Sequence, residues 1–209
     1  MRAQAILPIG SLGVKNIPRL VSGLTAMLLA AYFLFHGGSL PVFLASSFLL
    51  LICLTDTLHS RIPNLFTLGL TLVGLTYNLA VAGLAGLTTS VSGLAAGLAL
   101  LLIPYLMGGM GAGDVKALAA LGALLGPQAI LIVFAYTGLV GGVMAIVHYL
   151  FNRDLVSKCL AGLRALRLFF YTRKFSDITP SRNGEQLRFP YAAAIAFGYF
   201  AFITWGAPL

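Results

Sequence analysis

The sequence predicts an all-α fold, a polytopic membrane helix bundle formed by one domain over residues 1–209. Three observations carry that reading. Hydrophobic residues make up 59% of the chain, its mean hydropathy is +0.98, and only 9% of residues are charged. A soluble domain carries roughly a quarter charged residues, because its surface must be solvated. Lipid must therefore be part of this chain's solvent. Second, the apolar residues fall into stretches close to the roughly 20 residues that span a bilayer core about 30 Å thick. Third, the basic residues cluster in only some of the intervening segments. A soluble enzyme, a disordered chain and a disulfide-stapled secreted module are excluded. Cys53 and Cys159 form no CxxC pair and read as small apolar fillers. The net charge of +8 needs no nucleic-acid partner, since the positive-inside rule accounts for basic residues in a membrane protein.

Candidate spans are Leu20–Phe35, Leu40–Thr57, Leu65–Leu84, Ser90–Met107, Gln128–Phe151 and Pro190–Trp205. A further segment, Val115–Leu125, is apolar but short, and hydropathy leaves it undecided. Charge placement decides it. With seven crossings, one of them short, and a cytoplasmic N-terminus, all 13 Lys and Arg fall on one side. They are Arg2, Lys15 and Arg19; Arg61; Lys116; and the group from Arg153 to Arg188. The opposite loops, His36–Ser39, Ala85–Thr89 and Gly126–Pro127, hold none. The N-terminus shows no A-x-A cleavage site of the signal-peptide kind. Residues 1–38 read as an N-terminal extension with the start of the first helix, residues 40–205 as the core, and 152–188 as a basic cytoplasmic loop. Within that loop, Leu155–Phe175 interleaves leucines with Lys158, Arg164, Arg167, Arg173 and Lys174. Both a helix lying on anionic lipid and a simple basic loop fit that pattern. Membrane lipids are thus expected partners. The spacings Gly93/Gly97, Gly122/Gly126 and Gly138/Gly142 suit close helix packing. Nothing in the sequence fixes an oligomeric state.

The chain has five acidic residues, of which Asp154, Asp177 and Glu185 lie among the basic charges of the loop. Asp56 and Asp114 do not. The first ends an apolar helix and the second opens the short one after Gly108-Gly-Met-Gly-Ala-Gly113, and the topology puts both on one membrane face. An ionisable group near hydrocarbon costs several kcal/mol unless paired or useful. Taken singly, Asp114 suits a helix-capping role and Asp56 a pairing with Arg61. Taken together, they suit a carboxylate pair sharing a proton, one activating water and the other donating a proton. Glycines at 108, 109, 111 and 113 let backbone approach a substrate closely.

Gly111-Ala112-Gly113-Asp114 is the GxGD signature of intramembrane aspartic peptidases, and Met110–Gly122 around it closely resembles the type IV prepilin peptidases. Asp56-Thr-Leu-His-Ser-Arg-Ile-Pro-Asn64 is similar to that family's other catalytic element, and Arg188-Phe-Pro-Tyr191 to its final helix. The resemblance implies cleavage of a prepilin or pilin-like leader at the cytoplasmic face of the bacterial inner membrane. Asp56 and Asp114 would be the catalytic pair, with Gly111, Gly113 and Lys116 in the active-site loop. It most resembles the small CpaA/TadV-like branch serving Flp-type pili. Nothing matches the methylase region of the larger enzymes, with its four-cysteine zinc site. No metal and no cofactor is expected, since two aspartates without CxxC or paired histidines make a poor ligand set. Lys116 suits tuning the acid, meeting a substrate carboxylate, or snorkelling to the interface. A small ion-coupled transporter is the alternative reading of two membrane acids, although transporters favour midplane sites and duplicated halves.

Overall fold

The computed structural model describes residues 17–36, 38–59, 61–106, 110–151 and 191–206. Among these the chain forms helices α1 (Ile17–His36), α2 (Leu40–His59), α3 (Asn64–Leu106), α4 (Ala112–Leu125), α5 (Pro127–Phe151) and α6 (Tyr191–Trp205), and no strand. Three helical stretches, Leu40–His59, Asn64–Leu106 and Pro127–Met144, are long and apolar enough to cross a membrane, as a membrane protein requires. The basic loop and its interfacial segment lie outside the described residues.

Helix α3 is 43 residues long, and straight it would reach about 65 Å, twice a bilayer core. It is not straight. Gly83 takes φ 60° and ψ −142°, a conformation that L side chains rarely adopt, and breaks the helix into arms 64–82 and 84–106. The chain reverses there. A Cβ added at Gly86 would collide with the Asn78 carbonyl, although eight residues of continuous helix would hold those positions about 12 Å apart. The sequence expects the loop at Ala85–Thr89, but these residues are helical. The hydroxyls of Thr88 and Thr89 donate to the Ala85 carbonyl at 2.8 and 2.9 Å, which accommodates polar side chains within the helix, and one glycine makes the turn.

Helix α4 occupies the centre. From Asp114 to Leu124 every residue except Lys116 is buried, and the helix touches α2, α3, α5 and α6. Its closest packing is with both arms of α3. A Cβ at Gly93 would strike the Gly122 carbonyl and one at Gly122 the Gly93 carbonyl, while Gly97 meets Ala119 and Gly74 meets Ala123 and Leu124. These contacts make α4 parallel to arm 64–82 and antiparallel to arm 84–106. Two of the three glycine spacings in the sequence are therefore used for close contact. The third is not: Cβ atoms at Gly138 and Gly142 would meet nothing within 4 Å.

The outer helices alternate in direction around this centre. Gly23 near the start of α1 abuts Thr57 near the end of α2. Thr137 of α5 lies against Gly198 of α6, and the later Gly141 against the earlier Ala194, so these two helices also run antiparallel. Cys53 is a free thiol wholly buried in the core, a small apolar filler as its sequence context implies. Exposed apolar side chains such as Leu28, Leu68, Ile103 and Leu139 point outward, where lipid takes the place of water.

The Gly93–Gly122 contact leaves no room for a side chain, and overpacking a tight interface costs about 1–3 kcal/mol. Gly93→Val is expected to lower the unfolding midpoint of the detergent-solubilised protein by several degrees, with Gly142→Val close to wild type. Equal midpoints for the two variants would refute the packing described.

Candidate active site

Asp114 owes its position to the start of α4. Gly111 precedes the helix in extended conformation (φ −84°, ψ 152°), and Asp114 sits three residues later. The Gly111 N–H donates to Asp114 Oδ2 at 3.0 Å, and the Asp114 N–H donates to the Gly111 carbonyl at 3.2 Å. This is the reach-back half of a capping box, here completed by backbone because glycine has no side chain to offer. The capping role weighed from the sequence is thus present. It engages one carboxylate oxygen and leaves a side chain only 9% exposed. Gly113 is small for a steric reason: a Cβ there would lie 3.0 Å from the Ile62 Cβ. At Gly111 a Cβ would lie 3.3 Å from Asp114 Oδ2.

Asp56 stands in the last turn of α2, half-buried, and its charge acts on the Asp114 carboxyl. The two acids are therefore within Coulombic reach, although 58 positions separate them in the chain. Helix electrostatics favours Asp114, at an N-terminus, and opposes Asp56, at the carbonyl end of its helix. Capping accounts for the first acid alone.

Around this pair the linker after α2 and the start of α4 come together. Lys116 Nζ donates to Asn64 Oδ1 at 2.9 Å, tying the beginning of α4 to the beginning of α3. Of the candidate loop, Gly111, Gly113 and Lys116 border Asp114, while Gly108 and Gly109 lie outside the described residues. Sequence reasoning did not foresee the partners Ile62 and Asn64. Their nearness to Asp56 was the available signal.

A family model described as the type IV leader peptidase family matches residues 43–146. The chain belongs to the type IV leader peptidase family. The matched stretch runs from α2 into α5 and contains both aspartates, the linker between α2 and α3, and the glycine turn. The chain is also 38% identical over 140 residues to the prepilin leader peptidase/N-methyltransferase of Aeromonas hydrophila. That alignment takes in 64% of this chain and 47% of the relative, so the chain spans about half the relative's length. No solved structure matches it significantly.

The approach of Ile62 to Gly113 is directly testable. Disulfides form at Cβ separations of about 3.5–4.5 Å, about 0.5–1.5 Å beyond the present contact. In a background carrying Cys53→Ala and Cys159→Ala, the pair Ile62→Cys and Gly113→Cys is expected to oxidise within one chain, read as a mobility shift reversed by reductant. Pairing Ile62→Cys with Gly142→Cys should give none. Failure of the first pair to cross-link would separate the two loops.

Proposed function

We propose that the protein is an aspartic endopeptidase that removes the leader of a type IV prepilin or pilin-like protein. Asp56 and Asp114 are the proposed catalytic pair. The observation that carries this reading is that the charge of Asp56 reaches the buried carboxyl of Asp114 at the start of α4. One carboxylate takes a proton from water, and the resulting hydroxide attacks the scissile carbonyl carbon. The other carboxyl gives its proton to the carbonyl oxygen. The tetrahedral species then collapses: the first carboxyl passes the proton it took from water to the amide nitrogen, the C–N bond breaks, and the second carboxylate takes back a hydroxyl proton. The water divides between the new carboxyl group and the new amine, and no metal or other cofactor is needed. Gly111 and Gly113 keep the backbone bare at the site, and Lys116 ties the glycine turn to Asn64.

We further propose seven membrane crossings with a cytoplasmic N-terminus in the bacterial inner membrane. The two arms of α3 and the alternation of the outer helices support that count. So does the charge pattern, which leaves Lys and Arg on one side. The same topology places the aspartates at the cytoplasmic face, next to the charged leader and ahead of the pilin's apolar helix. The Flp-type branch is the substrate class favoured by the resemblance, and the pilin helix and surrounding lipid are the expected partners.

The decisive experiment is cleavage of a co-expressed Flp-type prepilin in membranes. Asp56→Asn and Asp114→Asn should each abolish it in folded protein, with losses that do not add, because the two acids act as one unit. Near-normal cleavage by either variant would defeat the dyad. A purified enzyme that cleaves should keep its activity in chelator, and its rate should rise and then fall with pH, since one carboxyl must be ionised and the other protonated. Loss on chelation with recovery on adding a divalent metal would overturn the metal-free mechanism. Proton or cation flux without cleavage would favour a transporter.

A further inference from the structure

The far end of α4 carries a polar arrangement that the proposed chemistry does not use. Asn78 Nδ2, half-buried on the first arm of α3, lies within hydrogen-bonding distance of the carbonyls of Ala123 (3.0 Å), Leu124 (3.1 Å) and Gly74 (3.1 Å). Ser90 Oγ, wholly buried on the second arm, donates to the same Ala123 carbonyl. The Gly126 N–H donates to the Gly122 carbonyl at 2.8 Å. Three of the four carbonyls that a helix end leaves unpartnered thus find donors, and two of them depend on side chains from α3.

We propose that Asn78 and Ser90 are positioning residues that set the depth and rotation of Asp114 by clamping the opposite end of its helix. The inference rests on the peptidase reading for its consequence, though not for its geometry. Two features make the clamp more than a stabilising contact. First, α4 has 14 residues, about 21 Å of helix, so an end without donors would sit at a depth where no water replaces them. Second, the interface between α4 and α3 is built from Gly74, Gly93, Gly97, Ala119 and Gly122. A seam of hydrogens and methyl groups allows close approach but offers few interlocking side chains to fix axial register. Directional hydrogen bonds at Ala123 and Leu124 supply that register. A slip of one residue would move Asp114 by about 1.5 Å and turn it by about 100°. Displacements near 1 Å can cost a catalytic group about a hundredfold in rate.

The test uses the full-length protein in lipid nanodiscs, carrying Cys53→Ala and Cys159→Ala, with Asn78→Leu and Ser90→Ala as variants. A cysteine at exposed position 112 (Ala112→Cys), beside the glycine turn, reports movement of the start of α4 through its reaction with a water-soluble maleimide. This readout is independent of activity. Without the Ala112→Cys reporter, the same variants are assayed on a prepilin leader peptide. Asn78→Leu should change the labelling rate at least threefold and lower kcat about tenfold or more, with KM within twofold, because substrate binding is left intact while the acid is misplaced. Ser90→Ala should move both readouts in the same direction by less. Wild-type labelling and kcat in a monodisperse Asn78→Leu protein would overturn the proposal. If that variant does not stay monodisperse, Ser90→Ala decides on the same two measurements, and wild-type values there overturn the clamp. If even the parent protein cleaves nothing, the peptidase reading has failed and the labelling rate alone decides the clamp.

Discussion

Helix α4, about 21 Å long, is buried among α2, α3, α5 and α6, so its end groups need partners inside the protein. Much of the architecture follows from that need. The helix is buried on nearly all sides, and two arms of a single broken helix run alongside it. Glycines on both partners allow backbones to approach as closely as small side chains permit. At one end the backbone of Gly111 and the side chain of Asp114 satisfy each other. At the other, Asn78 and Ser90 reach across from α3. An acid at the first end is therefore held in a protein interior.

The same constraint explains which parts of the fold could be read beforehand. Lipid-facing helices must be apolar over their length, so α1, α2, both arms of α3 and α5 stand out from hydropathy alone, as does α6, although most of α6 is buried in the protein. Helix α4 faces protein, and its Ala-Leu-Ala-Ala-Leu-Gly-Ala stretch needs smallness more than length or hydrophobicity. It is accordingly the segment that hydropathy leaves undecided. Charge placement singled it out from the sequence, and the structure shows it as a 14-residue helix. The turn between the arms of α3 was misplaced by a few residues for a local reason. Threonines look like loop residues, yet Thr88 and Thr89 bond back to their own helix, and a single glycine is enough to reverse the chain.

Legibility of the site divides along similar lines. Two carboxylates in apolar surroundings are conspicuous because their cost is high, and in the structure the charge of Asp56 reaches the Asp114 carboxyl. Neutral polar groups are not conspicuous. Thr71, Thr76 and Thr137 each donate to the carbonyl four residues earlier and thereby satisfy themselves. Ser90 and Asn78 look no different in the sequence, yet they reach another helix. Which hydroxyl or amide turns inward depends on helix rotation and on the neighbouring backbone. The same is true of the 52-residue separation bridged by Lys116 and Asn64, and of the contact between Ile62 and Gly113.

The two aspartates are held very differently, and the difference bears on residues outside the matched family segment. Asp114 belongs to the closely packed α3–α4 unit, whereas α2, which carries Asp56, touches that unit only sparsely. The position of Asp56 must then depend on what lies on the other side of α2. That neighbour is α1, which falls outside residues 43–146. Its buried face presents Gly23, Ala26 and Ala30, small residues at helical spacing that let α2 come close, and Gly23 abuts Thr57, the residue after Asp56. Farther along, Phe33 stacks on Phe200 of α6 at 4.9 Å with rings nearly parallel, which anchors α1 to a third helix. The helix of the N-terminal extension is thus placed to brace one acid, as the clamp on α4 braces the other. A carboxylate pair separated by 58 positions needs both supports, because neither helix alone can fix the distance between them.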